Sequence, residues 1–346
     1  MKKRMKILTV LLGAAMVLSL AACGNSGTPT QNGGASGGGD AKYSFDISVD
    51  ASDDEIISQY AKKLKEELET RSNGRISATV YTNGTLGGDS EALQSCADGS
   101  LAFVLSTTAP QVNLMPELAV FDLPNLYTDI DQFRALFENE AFISKLNDIY
   151  SKSGFQLLGI ADSGFRVMTS NKEVNAMSDL NGVKIRTMQN SNHIAIWQAY
   201  GANPTPMSFG EVYIGLQQGT IDAQENPIEV AVASKFYEQQ KYVILTNHLP
   251  HACVCLMSGD LYATLPADLQ DAVIQAGEAA TEYTRQLSST QNAEQLKFLE
   301  ENGTTVIQLS DEVYAQMQQA AQPVYDSISQ QVGDEMMDLL MTAAGK

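Results

Sequence analysis

The sequence is poor in the residues that build disulfide frameworks. Among its 346 residues there are only four cysteines. Cys253 and Cys255 fall two residues apart in one predicted strand, where bridge formation is geometrically awkward, and Cys96 falls in a predicted helix. We therefore interpret these three cysteines as small buried hydrophobic residues rather than as parts of a disulfide framework.

Patterns for metals, cofactors and catalysis are missing as well. His248 and His251 could join Cys253 and Cys255 in a metal site, but Pro250 lies among them and no further cysteines complete a closed coordination sphere. The chain has no G-x-G-x-x-G and no G-x-x-x-x-G-K-[ST] phosphate loop. We find no nucleophile or acid–base constellation. These absences argue against an enzyme and against a metal or a cofactor.

Positive charge is scarce, with 22 Lys and Arg against 41 Asp and Glu and a net charge of −19. Loss of residues 1–22 would remove four cations and no acid, leaving −23. This balance argues against a nucleic-acid partner, because phosphate contacts need a basic surface. It also argues against adsorption to anionic lipid.

The N-terminal segment holds the long hydrophobic run of the chain. A basic start, residues 1–6, precedes the apolar residues 7–22, which are fewer than the roughly 20 that a membrane span needs. The run ends in Leu20-Ala21-Ala22-Cys23, which resembles the lipobox of bacterial lipoproteins. We expect a signal peptide over 1–22, a lipidated Cys23 and a flexible linker over 24–40, with seven glycines. The alternative is an ordinary signal peptide followed by a chance cysteine.

Strand and helix patterns alternate twice along the rest of the chain, as in α/β proteins. The predicted strands cover residues 43–50, 75–82, 101–106, 155–161, 165–170, 183–188, 221–224, 242–248, 252–259 and 304–309. Predicted helices include one that Ser52 caps, one over 130–150, and one of about 36 residues from Pro266, interrupted only by Gly277.

The pattern predicts a two-lobed clam-shell of mixed sheets flanked by helices, in which the long C-terminal helix spans both lobes. Residues 41–163 with about 252–291 would form lobe I, and 164–251 with about 292–346 lobe II. Proteins of this shape bind ligands in the cleft.

Two arginines lie inside predicted strands, and Asn226 lies just before Pro227 at a strand-to-helix turn, where a polar side chain can face a cleft. Arg186 stands in "DLNGVKIRTMQN" (179–190), Arg166 in "SGFRVMTSN" (163–171), and Asn226 in "AQENPIE" (223–229). A guanidinium matches a carboxylate bidentately and keeps its charge. These residues therefore predict a carboxylate site, although both arginines could instead be surface charges paired with local acids.

Four stretches resemble one family, namely "LGGDSE" (86–91), "GVKIRTM" (182–188), "GANPTPMSFGEVYIGLQQGTIDAQENP" (201–227) and "KFYEQQKYVILTNH" (235–248). The chain from about 43 to 340 is similar to the solute-binding proteins of tripartite ATP-independent periplasmic (TRAP) transporters of the dicarboxylate-binding type. The resemblance implies that Arg186 binds the ligand carboxylate, that Arg166 supports it and that Asn226 completes the pocket. It further implies contacts from Phe209, Gln189, Asp50 and Thr107.

After Arg186 the sequence departs from the pattern that is commoner in the family, because residues 189–193 are polar where many members are more apolar. Gln189, Asn190 and His193 suit a hydroxyl-rich acid such as a hexuronate or aldonate as well as a C4-dicarboxylate. Capping of the following helix by Asn190 or Ser191 is the alternative.

These observations predict a monomeric receptor, lipid-anchored to the outer face of the cell membrane, which hands a small carboxylate ligand to a membrane permease. A receptor for a sensor kinase or a secreted hydrolase are the alternatives.

Overall fold

The computed structural model describes residues 43–346, apart from the side chain of Asn292. The predicted signal peptide, Cys23 and the linker lie outside the described residues. Within this range, no helix combines the length and the apolar character that crossing a membrane requires.

Nine strands form one mixed sheet, in the order β2-β1-β3-β8-β4-β7-β5-β6, with β9 also paired to β8. Their bounds are β1 Tyr43–Val49, β2 Ile76–Tyr81, β3 Phe103–Thr107, β4 Phe155–Ser170, β5 Lys184–Thr187, β6 Asn203–Pro206, β7 Ala223–Pro227, β8 Tyr242–Ser258 and β9 Thr305–Gln308.

Twelve α-helices of the described chain flank this sheet. They are α1 Ile56–Arg71, α2 Asp89–Ala97, α3 Thr108–Gln111, α4 Ile130–Ala135, α5 Glu140–Lys152, α6 Ser191–Ala199, α7 Val212–Gln218, α8 Ile228–Ala233, α9 Gly259–Thr264, α10 Ala267–Glu301, α11 Asp311–Val332 and α12 Asp334–Ala343. Short 3-10 helices cover Pro116–Asp122, Leu136–Glu138, Met177–Leu180, Phe209–Glu211 and Phe236–Glu238.

Two long antiparallel strands, β4 and β8, connect the halves of the sheet. At one end β8 pairs with β3, which continues into parallel β1 and β2. At the other end β4 pairs with β7, which continues into parallel β5 and β6, while β8 pairs with β9. The expected two-lobed α/β fold is thus present, with β1–β3 in lobe I and β5–β7 and β9 in lobe II. The residue numbers of the lobe boundaries stay a prediction.

The prediction of separate strands at 155–161 and 165–170, and at 242–248 and 252–259, is wrong. Each pair forms one continuous strand, 16 residues in β4 and 17 in β8. Gly164 and Pro250 are residues that often end strands. Here the register of the β4–β8 pair shifts between Asp162 and Phe165, and this β-bulge lets both strands continue.

Two helix boundaries also differ from the prediction. Helix α1 begins at Ile56 with Glu55 as N-cap, because the Ser52 hydroxyl donates to Glu55 Oε1 over 2.9 Å instead of capping the helix. The helix predicted over 130–150 divides into α4 and α5, because Asn139 Oδ1 accepts from the N–H of Phe142 over 3.0 Å and starts α5 anew.

The two faces of the sheet carry separate cores. Along β8, Cys253 and Cys255 pack with α1 and α10, whereas Val254 and Leu256 pack on the opposite face, as the two-residue period of a strand requires. Cys96, Cys253 and Cys255 are buried free thiols, which confirms their interpretation as small hydrophobic residues.

Helix α10 is the predicted helix that spans both lobes. It packs on α1 and β4, and near its end Leu299 packs with Val167, Ile228 and Val243 of the other lobe.

Candidate functional site

Arg186 is a buried cation with spare hydrogen-bond donors. It lies in β5, between parallel β6 and β7, and its exposed fraction is 2%. Its Nε and Nη2 both donate to the carbonyl oxygen of Met207, over 3.0 and 2.7 Å, and Nη1 has no partner. Because a guanidinium has five N–H groups, three remain for a ligand.

The surroundings of Arg186 disfavour its charge but leave it cationic. Burial, and secondarily the positive charge of Arg166, lower its pKa to about 10, while Glu225, Asp89 and Asp50 act in the opposite direction. At neutral pH the group is therefore a desolvated cation, which makes an anionic partner favourable.

Phe209 lies beside this guanidinium, and Asn226 lies in the neighbouring strand β7. Phe209 lies in the 3-10 helix Phe209–Glu211, and its ring centroid is 6.0 Å from Arg186 Cζ. Asn226 lies in β7, 3% exposed, and its Nδ2 donates to Gln224 Oε1 over 2.7 Å.

Arg166 is bound far more completely than Arg186. Its Nε and Nη2 form a bidentate pair with Glu225, over 2.5 Å to Oε2 and 2.8 Å to Oε1, and Nη2 also reaches the Glu225 carbonyl oxygen. Its Nη1 donates to Nδ1 of His251 over 2.5 Å. Only one of its five N–H groups therefore remains, so any ligand contact would be a single hydrogen bond.

Glu225 is a residue that the sequence reasoning missed. It is fully buried beside two of the histidines: His248 Nε2 lies 3.1 Å from Oε2, and His193 Nδ1 lies 3.6 Å from Oε1. Burial alone would raise its pKa, but Arg166, His193 and His248 outweigh burial and hold the pKa of Glu225 well below its usual range. The available signal was an acid directly before Asn226, next to a candidate site residue, in "AQENPIE" (223–229).

Asp122 of lobe I is a second acid that the sequence did not reveal, and it binds side chains of α6 and of its N-cap. Its Oδ2 accepts from Asn190 Nδ2 over 2.8 Å and from Asn192 Nδ2 over 3.0 Å, and its Oδ1 lies 3.3 Å from His193 Nε2. Asn190 Oδ1 accepts the N–H groups of Asn192 and His193, so the capping alternative is confirmed for Asn190. The polar residues after Arg186 thus already bind protein groups.

The other predicted contact residues differ in burial, since Asp50 is half-buried and Thr107 is buried, whereas Gln189 is exposed. Asp50, half-buried after β1, accepts the N–H of Asp89 over 3.3 Å, and Thr107 at the end of β3 is 8% exposed. Gln189 is exposed, and its carbonyl oxygen accepts from Asn113 Nδ2 over 3.0 Å. Within the described chain, the Gln189 side chain has no hydrogen bond to another predicted site residue.

The cysteines do not lie with the histidines. His248 contacts Thr246 and Glu225, whereas Cys253 lies in the core beside α1 and α10. Residues 43–346 contain no group of three or more His, Cys, Asp or Glu arranged to hold a metal ion.

Comparison with known proteins identifies a family match and several similar proteins. The model of the family "Bacterial extracellular solute-binding protein, family 7" (DctP) matches residues 47–331. A solute-binding protein of Verminephrobacter eiseniae is 34% identical over 278 residues, 80% of this chain and 82% of the relative.

Two solved structures are similar over 88% of this chain and 99% of their own. One is the sugar acid binding protein DctPAm of Advenella mimigardefordensis in complex with galactonate, 30% identical with a TM-score of 0.85. The other is a TRAP periplasmic solute binding protein of Sulfurospirillum deleyianum with bound succinate, 28% identical with a TM-score of 0.82. Since the family match covers most of the chain, the protein belongs to the DctP family of bacterial extracellular solute-binding proteins.

Proposed function

We propose that this protein captures a small organic acid between its lobes by a salt bridge from the ligand carboxylate to Arg186, and delivers it to a TRAP-type membrane permease. The observation that carries this proposal is the unpartnered Nη1 of Arg186 at 2% exposure. A buried donor on a cation costs free energy unless an acceptor satisfies it, and a carboxylate satisfies two donors of one guanidinium together.

The neighbouring residues complete the proposed pocket. Asn226 and the remaining N–H of Arg166 would bind the same carboxylate, and Phe209 would cover the ligand on one side. Asp50, Thr107 and His193 would contact it from the cleft walls. The exposure of Gln189 weakens the expectation for that side chain, and the filled hydrogen bonds of the Asn190 amide weaken it for Asn190.

The ligands of similar proteins support a carboxylate of modest size. Galactonate is bound in the Advenella structure and succinate in the Sulfurospirillum structure, so both a sugar acid and a C4-dicarboxylate are compatible with this fold. Such pockets bury most of a small ligand when the lobes close around it.

Substitution of Arg186 tests the proposal. Arg186→Ala should lower affinity at least about a hundredfold, or roughly 2.7 kcal/mol, because the charged fork is lost. Arg186→Lys should also bind poorly, since an ammonium cannot supply the fork. Affinity is measured by calorimetry with the best acid from a thermal-shift screen of dicarboxylates, uronates, aldonates and keto acids.

Lys184→Ala is the matched control, because it removes a cation from the same strand at an exposed position. It should keep its affinity, and thermal unfolding of free Arg186→Ala should stay close to that of the unchanged protein. Full affinity of Arg186→Ala would refute the site.

We further propose that Cys23 carries the lipid anchor that holds the receptor at the membrane, with 24–40 as tether. The sequence context Leu20-Ala21-Ala22-Cys23 supports this proposal. A Cys23→Ser variant should move from the membrane fraction to the soluble one, and unchanged membrane association would contradict the anchor.

A further inference from the structure

Two acids connect the lobes through reciprocal hydrogen bonds. Glu55 lies directly before α1 in lobe I, and Glu229 lies in α8 of lobe II. The backbone N–H of Ile56, the first residue of α1, donates to Glu229 Oε2 over 3.2 Å. In return, the hydroxyl of Ser234, directly after α8, donates to Glu55 Oε1 over 2.7 Å. We call Glu55 and Glu229 the acid latch.

The acid latch gives α1 a cap that the helix lacks on its own. Glu55 occupies the N-cap position, but its side chain forms no capping hydrogen bond to α1. The first N–H groups of a helix have no acceptor within the helix, and Ile56 is buried away from water. Lobe II therefore supplies this acceptor, and separating the lobes would leave the N–H of Ile56 and the hydroxyl of Ser234 without these partners.

The latch is formed while the cleft is closed. Asn113 Nδ2 of lobe I donates to the carbonyl oxygen of Gln189 in lobe II over 3.0 Å, and Thr107 Oγ1 lies 3.8 Å from Met188 Sδ. Arg186, the proposed ligand-binding cation, is buried. The hydrogen bonds of the latch thus belong to the arrangement in which a ligand would be enclosed.

The acid latch is buried without a counter-charge. Glu55 and Glu229 are each 3% exposed. Within residues 43–346, neither carboxylate has a side-chain nitrogen of Lys, Arg or His within 4.0 Å. They accept hydrogen bonds from neutral donors, namely the N–H groups of Ser52 and Ile56 and the hydroxyls of Ser52 and Ser234. Ionising both acids would leave two like charges in a desolvated contact, and separation of the lobes would relieve this cost.

We infer that the acid latch makes ligand affinity depend on pH: it favours the closed lobes while at least one of its carboxyl groups is protonated, and it favours opening and ligand release when both are ionised. This inference rests on the proposed function. A change that favours the closed lobes raises the affinity for a ligand that is held in the closed form. Because the latch already accepts from protein groups, it acts through closure rather than through contact with the ligand.

The ionisation of the latch has the sign that this inference requires. Burial is the main cause that raises the pKa of Glu55 to about 7, and burial, followed by the charge of Glu55, raises the pKa of Glu229 well above its usual range. Carboxyl groups that reach water on opening would titrate near the ordinary value of 4.5, so the closed lobes bind more protons than the open ones. The contribution of the latch to closure is therefore complete below about pH 4.5 and is lost as pH rises through about 7.

Other titratable groups surround the latch on several elements. They are Asp50 after β1, Asp89 of α2, Asp162 of β4 with its partner Arg134, and Cys253 of β8. From α10, the apolar residues Leu296 and Leu299 pack beside α8. These groups are the same in every variant described below, so their own titration cancels when the variants are compared.

Replacing either acid by its amide tests the inference, because glutamine keeps an acceptor but cannot ionise. Calorimetry at about pH 5.5 and about pH 8 gives the affinities of the unchanged protein, Glu229→Gln and Glu55→Gln for galactonate, succinate and the tightest acid of the screen. The ratio of each variant's affinity to that of the unchanged protein should rise at least about threefold from the lower pH to the higher one. Asp54→Asn, which removes an exposed acid next to Glu55, is the matched control and should keep a constant ratio. Protonation of the added acid affects all proteins equally and cancels in this ratio.

Proton uptake on binding is a second readout, which a purely structural role of the latch would not change. Calorimetry at about pH 7 in phosphate and in Tris buffer, whose ionisation enthalpies differ, counts the protons taken up as the acid binds. The unchanged protein should take up more protons than Glu229→Gln or Glu55→Gln, because closure favours the protonated form of the latch.

The outcomes separate this inference from the proposed function. A shifted affinity ratio in either folded latch variant, absent from Asp54→Asn, supports the inference. A constant ratio in both latch variants with unchanged proton uptake, or the same shift in Asp54→Asn, would overturn the inference, and the proposed function would stand if Arg186→Ala is still impaired. If the folded protein binds no acid of the screen at millimolar concentration, the proposed function fails and the inference fails with it.

Discussion

At the scale of single residues, Arg166 and Arg186 have the same charge and similar burial but different tasks. Arg166 is paired with Glu225 and His251, whereas Arg186 keeps three N–H groups free. The partner of Arg166 lies 59 residues away in the sequence. Local sequence therefore identified two candidate cations but did not distinguish the structural one from the one available to a ligand.

Breaking the Arg166–Glu225 pair should strongly destabilise the protein. Glu225→Gln leaves Arg166 buried without its counter-charge, so the free energy of unfolding in urea should fall by about 3–5 kcal/mol. Glu335→Gln is the control, because Glu335 pairs with Lys145 at the surface, with side-chain exposed fractions of 75% and 29%. This control should cost less than about 1 kcal/mol. Equal losses in the two variants would contradict the role of Glu225.

At the scale of secondary structure, α10 illustrates what periodicity predicts and what packing adds. The helix was expected from Pro266 to about Asn302 and extends over Ala267–Glu301. Gly277 was expected only to weaken it slightly. In the structure it is the point of close approach to β4, because a Cβ there would lie 2.7 Å from both the Cβ and the carbonyl oxygen of Leu158.

Gly277→Ala should therefore destabilise the protein, although alanine favours helices by up to about 1 kcal/mol over glycine. The added methyl group would push α10 from β4, and such overpacking costs about 1–3 kcal/mol in urea unfolding. The control is Gly210→Ala, where no atom lies within 4 Å of the added Cβ and φ is not positive. If the Gly277→Ala protein is as stable as the Gly210→Ala control, α10 and β4 accommodate the added methyl group without cost and the prediction is wrong.

At the scale of the whole molecule, buried acids from both lobes meet. Glu55, before α1 in lobe I, accepts from the Ser234 hydroxyl at the end of α8 over 2.7 Å, and Glu229 of α8 accepts the N–H of Ile56 over 3.2 Å. Burial is the main cause that raises the pKa of Glu55 to about 7, and it raises that of Glu229 well above its usual range, together with the charge of Glu55. Because Glu55 and Glu229 are buried where the lobes meet, the protonated form of both carboxyl groups is favoured.

This arrangement predicts a pH-dependent stability. Glu55 titrates near 4.5 when unfolded and at about 7 when folded, so between these values the folded state holds a proton that the unfolded state has lost. The contribution of Glu55 is hence fully favourable below about pH 4.5 and is lost as pH rises through about 7.

Urea unfolding from pH 5 to 8 of the unchanged protein and of Glu55→Gln checks this prediction. The stability of the unchanged protein should fall more steeply with pH, because residue 55 no longer titrates in the variant. The buried histidines, including His248 and His251, whose pKa values are lowered, are common to both proteins and cancel in the difference. A constant difference at every pH would contradict the prediction.

Hydrophobic periodicity and turn residues sufficed for most elements of the fold. They predicted the strands near β1, β2, β3, β5 and β9 and the helix α10, because each of these depends on a local pattern of apolar residues. They failed at β4 and β8, since Gly164 and Pro250 are breaks locally but are accommodated between paired strands.

The sequence by itself determined an α/β fold with Arg166 and Arg186 as its candidate ligand-binding cations, because burial patterns and unusual charges can be read from neighbouring residues. Only the tertiary structure decided that Arg166 is neutralised by Glu225, that Asp122 holds the polar residues after Arg186, and that Asp50 and Asp89 lie together. These contacts join residues that are far apart in the chain, so they form only when the protein folds and cannot be read from neighbouring residues.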